Sequence, residues 1–429
     1  MNALLYLAGV LAIFLGLATS IALHECGHMI PARKFGVRVP QFFVGFGKTV
    51  WSFRRNGTEY GLKAFPLGGF VKLIGMLPPH EREGEPARQG AFSRLIADAR
   101  AAEAELLQPG DEKRMFYQLP WWKKVIVMAG GPTVNIVLAF LLFAIVFGFH
   151  GVPEPTTTID KVSDCVVAVR ADQPTPKCGP SDPVAPSKAA GLRPGDKIVA
   201  FGSTPVSSYE QLQKLIRGNG DKQAFLTIER DGREQVLQAT TAVNDMPGLD
   251  DRARSEKVGY LGITPTEVND TKGPLYTLGQ MGGYTVDTVK ALGHLPVRLW
   301  GVAKAAVGLE ERDPESPMSV VGVGRVAGEA ASADQVSTGD KIAFVLSLLA
   351  GVNLFLGMFN FVPLLPLDGG HIAGALYEAV RRRLARLRGR PDPGYFDVAR
   401  LLPVAYVMAG VLLVMTVILV WADIAAPVA

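Results

Sequence analysis

Residues His24-Glu25-Cys26-Gly27-His28 close an almost uncharged apolar run that begins at Ala3. On a helix, side chains four positions apart share one face at a spacing of ~6 Å. Both imidazoles can then reach a single tetrahedral Zn²⁺, and Glu25, one position round, is placed to take a proton from an activated water. Five-residue patterns recur by chance, but here the setting argues against chance, because ionisable groups inside a spanning helix are costly and mark functional sites. Cys26 falls on another side of the helix, where packing rather than ligation is expected.

A catalytic zinc has three protein ligands and keeps one position open. The third ligand does not follow the motif directly, since "MIPARKFGVRV" contains no histidine, and His80, His150, His294 and His371 are scattered. The stretch "NFVPLLPLDGGHIAG" at 360–374 offers Asp368, with His371 as the alternative ligand. Pro363 and Pro366 break the backbone just before Asp368, and broken backbone at membrane depth belongs where it lines a cavity or is buried in protein. The competing reading of "LDGG" is an ordinary helix-ending turn.

These groups need elements to hold them. The chain has 429 residues, 48% of them hydrophobic, and four stretches reach the roughly 20 apolar residues of a transmembrane helix: about 3–30, 125–149, 342–362 and 401–421. The expected fold is therefore a polytopic α-helical membrane protein. The first stretch lacks the basic start and small-residue cleavage site of a signal peptide. A net charge of +4, without a basic aromatic-rich patch, argues against nucleic acid as a partner. Arg33, Lys34 and Arg38 after the first span, Lys123 and Lys124 before the second, and the arginine run at 381–390 place those ends in the cytoplasm. Both termini and the region 150–341 are then extracytoplasmic, and Asp368 reaches the same membrane depth as His24 and His28. The arginine run itself reads as a solvated, topology-setting loop at 376–400.

"ALHECGH" in the first span together with "NFVPLLPLDGG" after the third resembles the site-2 protease family of intramembrane zinc metalloproteases, in its bacterial RseP-like branch. Both halves of the family pattern, H-E-x-x-H and N-x-x-P-x-x-P-L-D-G, are intact. The resemblance implies one Zn²⁺ held by His24, His28 and Asp368, with Glu25 as catalytic base. It also implies substrate contacts from Asn360 and Pro363 in the second motif, and from Asn135 in "AGGPTVN" (129–135), which is similar to the family's G-P-x-x-N.

Residues 40–75 alternate in polarity and contain Asn56-Gly57, a strong hairpin signal, so at least two strands are expected there, with "GGFVKL" as another. A helical substrate must be unwound before its peptide bond can be attacked, and strand addition to an exposed edge would hold it extended. A small structural sheet is the plainer alternative. The family carries a membrane-dipping hairpin at this place and a G-x-G-type strand, for which Gly68, Gly69 and Phe70 are the nearest fit. Residues 80–118 read as a cytoplasmic linker with one short helix, and "WWKK" (121–124) as an interfacial anchor.

Beyond the second span, "AAGLRPGDKIVAFGSTPVSSYEQLQKLI" (189–216) resembles a single PDZ domain of the bacterial protease type, spanning about 155–245. Cys165 and Cys178 fall in this extracytoplasmic region, and an oxidising compartment with a short intervening loop favours a disulfide between them. Residues 270–340 read as amphipathic helices at the outer surface.

The resemblance implies a bacterial inner-membrane enzyme that cuts single-span membrane proteins, such as anti-sigma factors after an upstream site-1 protease, or signal-peptide remnants. A membrane zinc transporter would also explain His and Asp in helices but has no use for Glu25. A non-catalytic PDZ scaffold has none either.

Overall fold

The computed structural model describes residues 2–78, 91–167, 178–249, 255–313 and 316–427. The chain divides into two compact units, Met1–His150 with Gly273–Ala429, and Gly151–Lys272.

In the first unit, α1 (Asn2–Lys34) is the apolar run that carries both histidines. It stops where Gly36 turns left-handed at φ +88°, and the Val37 amide closes back on the Ala32 carbonyl at 3.0 Å. The hairpin β1 (Gln41–Arg55) and β2 (Thr58–Lys72) turns at Asn56-Gly57, with φ of 50° and 74°; positive values at both positions are what a two-residue type I′ turn requires. The hairpin also folds over itself. Gln41 lies opposite both Glu59 and Lys72, and Val44 opposite both Leu62 and Gly69. "GGFVK" is thus the last part of β2 rather than a separate strand, and it runs beside α1.

The linker contains α2 (Ala91–Ala104), the short helix expected there; residues 79–90, with His80, lie outside the described residues. α3 (Trp121–Ile145) continues through a π-helical turn to His150. After the second unit come α6 (Pro274–Ala306), α7 (Val320–Ser332), α8 (Thr338–Asn360), α9 (Asp368–Leu387) and α10 (Leu402–Ala425). α1 packs on α3 and α7, α3 on α8 and α9, and α10 on α6.

Among the described residues four helices are long and apolar enough to cross a membrane: Asn2–Lys34, Trp121–His150, Thr338–Asn360 and Val398–Ala425. The third span ends at Asn360, close to the expected 362, and after the break α9 starts at Asp368. One expectation needs correction here. The basic stretch expected as a loop at 376–400 is helical as far as Leu387.

The second unit has strands β3 (Val152–Val162), β4 (Lys197–Phe201), β5 (Thr204–Pro205), β6 (Gln223–Arg230), β7 (Arg233–Thr240), β8 (Ala242–Pro247), β9 (Ser255–Tyr260) and β10 (Ile263–Asp270). Its helices are the short α4 (Pro186–Ala189) and α5 (Tyr209–Gly218). The main sheet runs β10-β3-β4-β6-β7, β5 pairs with β4, and β8 and β9 form a separate hairpin. Ala224, Leu226 and Ile228 alternate into the core and meet Leu212 and Ile216, four apart on α5. Cys165 and Cys178 are joined by a disulfide, and the proline-rich loop between them falls largely outside the described residues. The unit is longer than 155–245, because β10 returns to pair with β3, Ile263 opposite Val162 and Asp270 opposite Val152.

Candidate active site

Three ligand atoms converge from two distant parts of the chain. His24 Nε2 and His28 Nε2 are 3.2 Å apart, and each is 3.3 Å from Asp368 Oδ2. Among the described residues this is the one group of three such side chains whose ligand atoms converge. The donor set fits zinc on geometry: a tetrahedral ion with bonds of about 2.0–2.1 Å holds its ligand atoms roughly 3.3 Å apart. It also fits on chemistry. The Nδ1–H of His28 donates to the Val127 carbonyl at 2.8 Å, which fixes the tautomer and leaves the Nε2 lone pair facing the other two ligands.

Each ligand is positioned by local sequence. α1 buries His28 against α3 and Glu25 beside β2. The helices approach closely because glycine faces glycine: a Cβ on Gly27 or on Gly130 would overlap the other's carbonyl oxygen. The next residue, Gly131, faces the histidines, and a Cβ there would collide with Nε2 of both. Gly130 and Gly131 are therefore a steric requirement of the helix contact at the two histidines. Asp368 sits in the first turn of α9, and Cβ atoms on Gly369 and Gly370 would strike the backbone of 361–365. "LDGG" thus starts a helix tightly folded on the preceding loop.

These residues open onto a cavity of about 490 Å³. Its wall includes His24, Glu25, His28 and Asp368, together with Gly68, Gly69, Phe70, Asn135 and Asn360. Asn135 is 2% exposed and its Oδ1 has no hydrogen-bond partner among the described residues, so it holds an acceptor free for a ligand. β2 reaches the chemistry directly, because Gly69 lies so close to α1 that a Cβ there would press on Ile21 and the Glu25 side chain. Pro363 is not in this wall. It lines a separate cavity beside α9, while Pro366 and His371 face the active cavity. Cys26 packs beside the cluster of Met29, Phe42 and Val127.

Sequence reasoning missed Gly131 and the Val127 carbonyl. "AGG" beside the N-motif was a visible signal for Gly131; a backbone carbonyl leaves none.

The model of peptidase family M50 matches residues 12–391. The chain is 33% identical to the zinc metalloprotease Rip1 of Mycobacterium tuberculosis, over 99% of both chains, and 33% identical to Rip1 of Mycolicibacterium smegmatis over 98% of both. It is 27% identical to metalloprotease MmpA of Caulobacter vibrioides over 86% of each. With His24, Glu25, His28 and Asp368 gathered at one cavity and a match of this extent, the chain belongs to peptidase family M50, the site-2 proteases, and is a zinc metalloprotease.

Proposed function

We propose that this enzyme cuts a peptide bond inside a transmembrane segment of another membrane protein, at the cavity bounded by α1, α3, α8, α9 and β2. The observation that carries the reading is the convergence of His24, His28 and Asp368 beside Glu25, between helices of membrane-spanning length. His24, His28 and Asp368 hold the Zn²⁺, which when bound activates water and the scissile carbonyl as a Lewis acid. Glu25 accepts the proton of the attacking water and returns it to the departing amide nitrogen. Asn135 and Asn360, from facing helices, hold the unwound substrate backbone. The 68–72 part of β2, with Gly68, Gly69 and Phe70, offers the edge along which that backbone lies extended.

The flanking charges support a bacterial inner-membrane orientation with the zinc near the cytoplasmic face. Gly151–Lys272 is then extracytoplasmic, and its sheet with α5 beside it supports a PDZ-like role in admitting substrate. Substrates of this kind are single-span proteins such as anti-sigma factors already trimmed by another protease, or signal-peptide remnants.

The test is cleavage of a tagged single-span substrate by purified enzyme, with zinc content measured alongside. Wild type is expected to cut, and Glu25→Gln to keep its zinc but lose at least ~10²-fold in rate. A Glu25→Gln enzyme that cuts normally would remove Glu25 as the base.

A further inference from the structure

α9 has two unlike sides. Gly374, Ala375 and Glu378 are buried against the protein. On the far side Leu376, Tyr377, Val380, Leu384 and Leu387 are between 43% and 75% exposed. At 100° per residue these five fall within an arc of about 100°, a continuous apolar stripe. Arg383 and Arg386 border it on one margin and Arg388 on the other, all exposed. Among the described residues none of the three has a carboxylate within ion-pairing distance; the acids nearby are engaged elsewhere, Glu378 by Lys124 and Arg382, Asp392 by Arg382.

Placement identifies what covers this side. α9 lies between α8 and α10, two helices of spanning length, so both of its ends are tied to one membrane face. The stripe continues into a groove of about 300 Å³ walled by Pro363, Leu364, Leu365, Tyr377, Leu401 and Val404. An apolar stripe with cationic margins, running into an apolar groove at the foot of a spanning helix, matches a lipid: acyl chain in the groove, anionic headgroup at the arginines. The geometry points to α9 as an in-plane membrane helix that binds anionic phospholipid through Arg383, Arg386 and Arg388. The occupant is a lipid rather than an acidic protein segment, because the groove beside Tyr377 is walled by Leu401 and Val404 of the last apolar span.

This goes beyond the proteolytic reading and its test needs no cleavage. The full chain is placed in lipid nanodiscs holding phosphatidylcholine with a minor fraction of phosphatidylglycerol, and the lipids that stay bound after extraction are counted by native mass spectrometry. Wild type is expected to retain phosphatidylglycerol at least tenfold over its bulk share, since each arginine near an anionic headgroup contributes up to about fivefold. The triple variant Arg383→Gln, Arg386→Gln, Arg388→Gln is expected to lose most of that enrichment. A variant neutralising three exposed charges of the other unit, Lys161→Gln, Lys222→Gln and Arg233→Gln, is expected to keep it. Enrichment unchanged in the first variant, or equally lost in the second, overturns the assignment, as does displacement of the lipid by millimolar inorganic phosphate. If the triple variant does not fold, salt decides on wild type. The enrichment must fall between 0.1 and 1 M salt, as the screening length drops from about 10 to 3 Å; enrichment indifferent to salt also overturns it.

Discussion

At the scale of single residues, the chemistry was legible and its supports were not. His24, Glu25, His28 and Asp368 announce themselves because charged or ligating side chains have little other reason to stand in apolar runs. Gly131 announces nothing, since its role exists only where α3 crosses α1 above both imidazoles. That role makes a sharp prediction. In an isolated helix, Gly131→Ala would raise helix propensity by about 1 kcal/mol. Here the new methyl meets His24 Nε2 and His28 Nε2, the atoms proposed to face the metal. The variant is expected to remain folded, bind zinc at least tenfold more weakly and lose activity in proportion. Zinc titration of chelator-stripped protein, with circular dichroism alongside, checks this; an alanine variant of normal zinc affinity would mean that the helices can separate without cost.

At the scale of elements, four apolar spans and the Asn56-Gly57 hairpin could be read directly, because length, apolarity and a two-residue turn are local properties. α9 could not, because a dense arginine run reads as a loop when charge is weighed above periodicity. Yet arginine is a good helix former, and Leu376, Val380, Leu384 and Leu387 carry the helical spacing that would have found it. The same helix holds Asp368, so whatever fixes α9 fixes the third proposed ligand. One such tie is Lys124 Nζ to Glu378 Oε2 at 2.8 Å, both side chains buried, joining α3 to α9; Glu378 also accepts from the Phe396 amide at 3.1 Å. Removing one partner of a buried pair leaves an uncompensated charge, at a cost of roughly 3–5 kcal/mol. Glu378→Ala is therefore expected to lower the unfolding free energy by about that much and to weaken zinc retention. Glu378→Gln, which keeps an acceptor for the amide, should do less of both. Denaturation of the two variants in detergent, followed by zinc content, separates the cases; an alanine variant as stable as wild type would show that water reaches Lys124.

At the scale of the whole molecule, the sequence marked the 151–272 region as a separate unit but misjudged its ends. The pairing of β10 with β3 spans some hundred residues, and nothing in either strand names its partner. The unit has its own core and its own acid sensitivity. Asp196 is buried, and burial alone would raise its carboxyl pKa; the Arg230 fork at 2.7 Å and the Arg193 amide at 2.8 Å outweigh that and hold it below the ordinary carboxylate range. A carboxylate whose folded pKa lies below its unfolded value of ~3.9 stabilises the fold above that pH. Its contribution is lost as pH falls below ~4 toward the folded value. An excised Gly151–Lys272 unit with its disulfide intact should thus keep a level melting temperature from neutral pH to about 5 and lose it steeply below 4. Asp196→Asn cannot make that transition. Its melting temperature should start lower at neutral pH and fall less over the acid range, so the two curves converge as pH falls through the folded value. Parallel acid limbs in wild type and variant would assign the loss to other carboxylates and leave the Asp196–Arg230 pair as a packing contact alone.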